Sequence, residues 1–412
     1  MKNHSFIHTI KEGFAGLFHI CREELKSTVK DQGVLIFFLL VPIAYPLVYA
    51  FIYTNEVVYE VPAAVVDADK SSQSREFLRR IDATADVHIV SYCADMEEAK
   101  QLMKSGQVYG LIYIPESFSR DIARGIQTQV SLYCDMSGML YYKALLVAAT
   151  DVSLEMGKEI QVQRLGNTTQ RQDEISATPI AYQEVPLFNT QKGFASFLIP
   201  AVLILIIQQT LLLGVGLSAG TARENNRFRH LVPISRQYQG TLRIVLGKSV
   251  AYMMVYAVMA AYILCAVPYL FSLVQLASPG TLLAFTVPYL LACIFFAMTC
   301  SIFIHHRESC MMIYVFTSVP LLFISGISWP GAAVPKFWEV FSWIFPSTFG
   351  IRGYVGINTM GANLQEILPE YRALWLQAGI YFITACIVYR RQILLSRHDA
   401  LERLKRYRNK KK

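Results

Sequence analysis

Four long stretches of this chain contain no Asp, Glu, Lys or Arg. The longest runs from Ser249 to His305, and the others cover Gly33 to Asn55, Gly193 to Ala222 and Ser309 to Pro335. A membrane-spanning helix needs about 20 apolar residues, and a charge at the centre of the bilayer costs about 3 kcal/mol on insertion scales. Each stretch is long enough to cross a bilayer, so we predict an integral membrane protein.

The longest stretch is divided near its middle by Gln275, Ser278, Pro279 and Gly280. These residue types favour a tight turn between two helices. A further uncharged run lies between Arg372 and Arg390 near the end of the chain. We therefore predict six crossings, at about 33–54, 194–220, 249–273, 281–304, 310–328 and 373–390.

Basic residues are concentrated on alternate connections. One set of connections holds 22 Lys and Arg: residues 1–30, the loop after the second crossing, the loop containing Arg307, and Arg390 with the tail 391–412. The opposite short connections hold only Lys336, Arg352 and Arg372. Lys and Arg are retained on the cytoplasmic side, so both termini are predicted to be cytoplasmic. The net charge of +8 is therefore interpreted as a sign of membrane topology and of contact with lipid headgroups, and not of nucleic-acid binding.

The residues before the first crossing, 1–32, form a predicted cytoplasmic amphipathic helix at the inner surface. Apolar residues recur there at helical spacing and predict one apolar face. The charged residues, Glu23 and Glu24 among them, are predicted to lie largely on the other faces of the helix. The first crossing follows about thirty polar residues and leads to no small-residue cleavage pattern, so it is predicted to remain as an anchor. Pro42 and Pro46 predict a kink in it.

Residues 55–192 have a different composition, with 13 basic and 19 acidic residues. Strand-like and helix-like segments alternate, which predicts an extracytoplasmic α/β domain with a mixed sheet, inserted between crossings 1 and 2. The predicted strands are 63–67, 87–91, 108–114 and 129–134, and the predicted helices are 72–81, 96–104, 117–124 and 139–164. The fold class is thus an α-helical polytopic membrane protein with one inserted α/β domain.

Two groups of residues in this domain allow more than one interpretation. Asp67, Asp69 and Ser71 follow the first predicted strand and suit turn formation and helix capping, or else a metal or nucleophile site. Cys93 and Cys134 each lie near a strand end and are either a disulfide of an oxidising compartment or two buried thiols. No cysteine has zinc-ligand spacing.

The sequence contains no recognisable energy-coupling motif of its own. Gly240 and Gly247 in "GTLRIVLGKS" are separated by six residues, whereas a phosphate-binding loop has four. Lys248 and Ser249 are therefore interpreted as the cytoplasmic rim of the third crossing. No charge lies deep in a predicted crossing, which argues against a proton relay. If this chain transports a substrate, another subunit supplies the energy.

The loop 221–248, "TARENNRFRHLVPISRQYQGTLRIVLGK", contains a single acidic residue, Glu224. It resembles the coupling-helix segment of permeases of the type-2 ATP-binding-cassette (ABC) exporter superfamily, in which an acidic residue precedes a bend and a Leu-rich turn ending near Pro-Ile-Ser-Arg. Asn226 stands where glycine is common, and Arg227 where threonine is. The resemblance implies that an ATPase subunit docks on Arg223, Glu224, Arg227, Phe228, Leu231 and Pro233.

The resemblance covers nearly the whole chain. The stretch "SGISWPGAAVPKFWEVFSWIFPSTFGIRGY", most of which lies in the segment 329–371, is similar to the family's external re-entrant segment, with landmarks at Pro335, Trp338, Phe341, Trp343 and Pro346. An ordinary interfacial aromatic belt is the alternative. The large external domain resembles that of bacterial drug-efflux permeases of the inner membrane. This implies a second permease copy or paralogue, a periplasmic adaptor, an outer-membrane channel, and ATP and Mg bound by the partner ATPase rather than by this chain.

Gln208, Gln209 and Thr210 lie in the middle of the second crossing. They either join helices by hydrogen bonds or contact cargo, and a path without charge favours an amphipathic or lipid-like substrate. Two other functions remain open. One is a membrane-anchored receptor or scaffold. Co-purification separates it from a transporter subunit, because only the transporter subunit should bring down an ATPase, and Glu224→Lys should abolish that association. The other is a membrane enzyme that uses His305, His306 and Arg307.

Overall fold

The structure is a computed structural model that describes residues 6–166, 169–178, 180, 185–190, 193–224, 240–304, 306–327, 329 and 331–410. Side chains are described from residue 14 to residue 395, apart from Ala332. The chain divides into two compact units. We call Met1–Thr54 with Leu187–Lys412 the helical unit, and Asn55–Pro186 the α/β unit.

The elements follow one another in chain order. Helices α1 (Phe6–Lys30) and α2 (Gln32–Ile52) come first. The α/β unit follows with β1 (Val61–Asp67), α3 (Ser72–Asp82), β2 (Val87–Tyr92), α4 (Met96–Lys104), β3 (Gly110–Ile114), α5 (Phe118–Arg124), β4 (Ser131–Cys134), α6 (Met139–Leu165) and α7 (Gln170–Ala177). The helical unit resumes with α8 (Phe194–Glu224), α9 (Thr241–Leu270), α10 (Pro279–Phe303), α11 (Arg307–Ile324), α12 (Lys336–Ser342), α13 (Pro346–Met360) and α14 (Leu368–Lys410).

Six described helices are long and apolar enough to cross a membrane: α2, α8, α9, α10, α11 and the Leu368–Leu395 part of α14. This confirms the predicted number and order of membrane-capable segments. The largest difference is in α9, which begins at Thr241 instead of residue 249. Lys248, interpreted from the sequence as the rim of this helix, therefore lies two turns inside it.

Helix α8 is the centre of the helical unit. Its apolar part is 94% buried, because α2, α10, α11 and α13 all pack against it. The apolar part of α11 is only 17% buried. Along α8, Gly214 allows close approach of α2, since a Cβ there would lie 1.9 Å from Cε1 of Phe38. The Phe38 ring also contacts Tyr252 and Tyr256 of α9 edge-on, with centroids 5.6 and 5.3 Å away.

Helices α2 and α9 each contain a π turn, at Ile36–Leu40 and at Tyr262–Ala266. Each turn lies shortly before a proline, Pro42 or Pro268, whose ring prevents the regular hydrogen bond to the carbonyl four residues earlier. In α9 the freed carbonyl of Leu264 accepts a hydrogen bond from the Tyr354 hydroxyl at 3.3 Å. The irregularity expected near Pro42 thus takes the form of a π turn.

The α/β unit contains a four-stranded sheet in the order β2-β1-β3-β4. Strand β1 is parallel to β2 and β3, and β4 is antiparallel to β3, so the sheet is mixed, as the sequence indicates. Successive side chains of a strand alternate between its faces. Accordingly Ala63 and Val65 belong to one core, with helices α3 and α6, and Ala64 and Val66 belong to a second core with α4.

The two uncertain residue groups of this unit have clear environments. Asp67 accepts hydrogen bonds from the backbone N–H groups of Asp69 and Lys70 at 3.1 and 3.0 Å and from the Ser74 hydroxyl at 2.7 Å. Ser71 caps α3 by accepting from the N–H of Ser74 at 3.1 Å. These contacts are turn formation and helix capping, the first of the two interpretations.

Cys93 and Cys134 are both free thiols. Cys93 follows β2 and Cys134 ends β4, and these strands are opposite edges of the sheet. Three strand spacings of about 4.8 Å separate the edges, roughly 14 Å, whereas bridged cysteines have Cα atoms within about 7 Å. The disulfide interpretation is therefore wrong. Of the two thiols, Cys93 is buried, as the alternative interpretation has it, whereas Cys134 is partly exposed.

Candidate functional site

The end of α8 is attached to the connection between α10 and α11. Oε1 of Glu224 accepts a hydrogen bond from the N–H of Arg307 at 2.9 Å, at the first residue of α11. The Arg223 guanidinium donates to the carbonyls of Ile302, at 3.3 Å, and Ile304. These are two of the six residues predicted to contact an ATPase. The other four, Arg227, Phe228, Leu231 and Pro233, lie outside the described residues.

The same place also receives the start of α2. The Arg307 guanidinium pairs with Oδ1 of Asp31 at 2.8 Å. Asp31 also caps α2, accepting from the N–H groups of Gly33 and Val34 at 3.1 and 3.4 Å. Carboxylates at the N-termini of α2 and α11 are favourable because the helix dipole is positive there. We call Asp31, Arg223, Glu224 and Arg307 the basal network; its contacts join α2, α8, α10 and α11.

A buried ion pair joins α1 to α9. Nζ of Lys248 lies 2.8 Å from Oε2 of Glu24, and their side chains are 8% and 9% exposed. The Tyr252 hydroxyl donates to the other oxygen of Glu24, and Lys248 lies 5.9 Å from the Tyr389 ring centroid of α14. The helices approach closely here, since a Cβ on Gly247 would lie 2.8 Å from Cβ of Ile20.

The sequence interpretation missed this pair, although α1 contained a signal for it. Glu24 follows Ile20 and Cys21 by four and three residues, so it lies on their buried stripe and not on the polar face to which it was assigned. A carboxylate on a buried stripe requires a cationic partner. Lys248 is that partner, and its place two turns inside α9 corrects the interpretation of this residue as the rim of the helix.

The three polar residues in the middle of α8 have different roles in the bundle. Oε1 of Gln208 accepts from the N–H of Ser347 at 2.6 Å, which caps the start of α13. Thr210 donates to the Ile206 carbonyl of its own helix at 2.7 Å. The Gln209 side chain is 7% exposed, and neither its nitrogen nor its oxygen has a hydrogen-bond partner among the described residues. The structure thus gives Gln208 a helix-joining contact and leaves the Gln209 amide unpaired.

The segment after α11 forms two helices joined at an aromatic turn. Pro335 is the N-cap of α12 and Pro346 is the first residue of α13. Trp338, Phe341 and Trp343 are 48%, 39% and 48% exposed, whereas most of α13 is buried. The turn between the helices is attached to α14, because Gln377 donates to the carbonyl of Trp343 at 2.7 Å and Tyr381 donates to that of Ile344.

Of the three residues considered for a membrane enzyme, His306 and Arg307 contact residues of the basal network. Arg307 belongs to the basal network, and Nδ1 of His306 lies 3.8 Å from Glu224; His305 lies outside the described residues. Within the described part of the chain, no group of three His, Cys, Asp or Glu is placed to hold a metal ion. The arrangement at the end of α8 is one of interlocked helix ends, suited to transmitting movement.

The chain matches a known protein family. The family model described as ABC-2 family transporter protein matches residues 33–387, a range that includes the α/β unit and reaches from α2 into α14. No curated protein matches the chain.

Proposed function

This chain belongs to the ABC-2 transporter family, and on that premise we propose that it is the permease of an ATP-driven exporter. Membership makes it the multi-pass membrane component of an ABC transporter that works with an ATPase subunit. The proposal adds direction and cargo: an amphipathic or hydrophobic molecule, drug-like or lipid-like, leaves the cytoplasm or the inner leaflet. ATP and Mg are bound by the separate ATPase.

The basal network is the observation that carries this proposal. Residues 225–239, which resemble a coupling segment, directly follow Glu224 in the sequence. Glu224 and Arg223 hold the start of α11 and the end of α10, and Arg307 holds Asp31 at the start of α2. A displacement of residues 225–239 by a closing ATPase is therefore passed to α8, α2 and α11 together. Such joint movement is what alternating access requires.

The path for cargo is proposed along the uncharged helices near Gln209. An unpaired amide in a buried, otherwise apolar helix costs free energy unless another group hydrogen-bonds to it, and a polar group of the cargo is such a partner. A second permease copy or a paralogue completes the path, and the low burial of the α11 surface favours that helix as a contact. The exposed aromatic residues of α12 dip into the outer leaflet beside the exit.

The proposed location is the bacterial inner membrane, with both termini cytoplasmic and the α/β unit on the periplasmic side. The concentration of Lys and Arg on alternate connections supports this orientation. The acidic α/β unit would then meet a periplasmic adaptor that leads to an outer-membrane channel.

The test is co-purification of the ATPase with variants of the coupling segment. Phe228→Asp should lose the ATPase while the permease still purifies as a folded protein, because Phe228 is proposed to fill an apolar cleft of the partner. Glu224→Lys should lose it as well, but it also breaks the contact with Arg307. Glu224→Gln is the matched control, since its amide oxygen still accepts from that N–H.

The competing receptor or scaffold function predicts a different result. In that case no ATPase accompanies the wild-type chain, and Phe228→Asp leaves every partner of the α/β unit bound. Reconstituted alone in liposomes, the chain should neither move substrate nor hydrolyse ATP; rapid ATP turnover by the isolated chain would refute the proposal.

A further inference from the structure

A groove of about 460 Å³ lies between the start of α9 and the middle of α14. Gly240, Thr241 and Leu242 form one wall, and the stretch of α14 from Phe382 to Arg390 forms the other. Both walls belong to helices that are long and apolar enough to cross a membrane. The groove is therefore a feature of the membrane-facing surface of the helical unit.

The α14 wall is apolar over most of its length. Phe382, Ile383, Cys386 and Ile387 recur at one-face helical spacing, and Ile383 and Ile387 are 61% and 62% exposed. From Phe382 to Arg390 the helix rises about 12 Å. That is close to the roughly 15 Å thickness of one leaflet of the hydrocarbon core, so the wall matches the length of a lipid acyl chain within one leaflet.

The groove ends at a positive charge. Arg390 is exposed, and no described acidic side chain pairs with it. Gly240, opposite, provides no side-chain cap for the first N–H groups of α9, and the start of a helix carries partial positive charge. Arg391 and the basic tail follow immediately. Apolar walls with a cationic end are complementary to a molecule that has a long hydrocarbon chain and an anionic head.

We propose that this groove binds an anionic glycerophospholipid, with its phosphate at Arg390 and one acyl chain along Phe382, Ile383 and Ile387. The neighbouring residues 225–239 are a poorer occupant, because they contain Arg227, Arg229 and Arg236 and no acidic residue. A zwitterionic lipid lacks the net charge that Arg390 complements. The site holds lipid whether or not the chain exports a substrate, so its failure and that of the proposed function are separable.

The experiment is native mass spectrometry of the purified full chain after equilibration with phosphatidylglycerol or phosphatidylcholine. Wild type should retain phosphatidylglycerol preferentially. Arg390→Gln should weaken that retention about fivefold, the equivalent of about 1 kcal/mol for one basic residue at an anionic surface. Arg391→Gln is the matched control: Arg391 is the next residue, is exposed and does not line the groove, so its retention should stay within about twofold of wild type.

A second pair of variants tests the apolar wall without altering charge. Ile383→Trp fills the groove and should reduce retention of phosphatidylglycerol, whereas Leu376→Trp, two turns away on the same side of α14 and outside the groove, should not. Equal losses in Arg390→Gln and Arg391→Gln would overturn the proposal in favour of diffuse attraction to the basic tail. So would equal retention of both lipids, or displacement of phosphatidylglycerol by inorganic phosphate alone. Photo-crosslinks from position 383 to residues 225–239 instead of lipid would also overturn it.

Discussion

The buried ion pair between Glu24 and Lys248 gives the sharpest quantitative prediction. At 2.8 Å and an effective dielectric constant of about 20, the attraction of two unit charges is about 6 kcal/mol. Removing both charges from water costs several kcal/mol per ion, so the intact pair is close to neutral for stability. Removing one partner is different, because the other charge stays buried without compensation. That typically costs about 3–5 kcal/mol.

We therefore predict that Lys248→Met destabilises the helical unit by about 3 kcal/mol, near the lower end of that range, because the Tyr252 hydroxyl still donates to Glu24. Glu24→Gln should cost a similar amount by leaving Lys248 unpaired. The double variant should lie within about 1 kcal/mol of wild type, since both charges are gone and Gln keeps an acceptor for Tyr252.

The assay is thermal unfolding of the purified chain in detergent. A loss of about 3 kcal/mol corresponds to a fall in the midpoint of roughly 6–12 °C. Glu23→Gln is the matched control on α1, because Glu23 is exposed and surface changes are usually within about 0.5 kcal/mol. A Lys248→Met midpoint within 2 °C of the control, or a double variant as unstable as the sum of the single ones, would refute the reasoning.

Three further predictions concern separate parts of the molecule. Gln208→Leu should destabilise the bundle by about 1–2 kcal/mol in thermal unfolding, because it removes an acceptor from the start of α13. Gln209→Leu removes an unpaired amide and should be neutral or stabilising, so a larger loss of stability for Gln209→Leu than for Gln208→Leu would contradict these contacts. Gly214→Ala should lower the free energy of unfolding by about 1–3 kcal/mol, because its new Cβ would lie 1.9 Å from Cε1 of the Phe38 ring. Gly379→Ala has open space around it and should not destabilise, so equal thermal midpoints for the two variants would contradict the prediction. Hydrogen bonds from Arg79 and Arg80 lower the pKa of Glu76 from 4.5 to about 2, so its stabilising effect is present above pH 4.5 and is lost as the pH falls toward 2. Urea unfolding of residues 55–186 should show a larger loss for wild type than for Glu76→Gln, in which other carboxylates with a lowered pKa, such as Asp135, still contribute.

Much of the architecture was predictable because it depends on local solvation and local geometry. A run without charge from Ser249 to His305 must leave water wherever it lies in the chain, so the membrane-capable segments could be read directly. Alternation of apolar residues and turn formers likewise identified the elements from β1 to α6 within a few residues, whereas α7 was not predicted. These properties involve neighbours in sequence, and no knowledge of the fold was needed.

The candidate site was less predictable, because its contacts join residues far apart in sequence. Arg307 appeared only as an orientation signal, and nothing local indicated that it pairs with Asp31 across 276 positions. The start of α9 was placed too late, because Arg243 and Lys248 look like loop charges until Glu24 is seen beside one of them. A charge count cannot distinguish a solvated cation from a buried paired one.

The sequence by itself determined that the chain is a multi-pass membrane protein, roughly which segments are long and apolar enough to cross, and that an α/β unit follows the first of them in the chain, since each follows from the cost of moving nearby residues out of water. The tertiary structure alone decided which charges meet, which strand edges Cys93 and Cys134 occupy and which amide of α8 stays unpaired. The physical reason is that pairing depends on the distance between side chains in space, and hydrophobicity along the chain does not specify that distance.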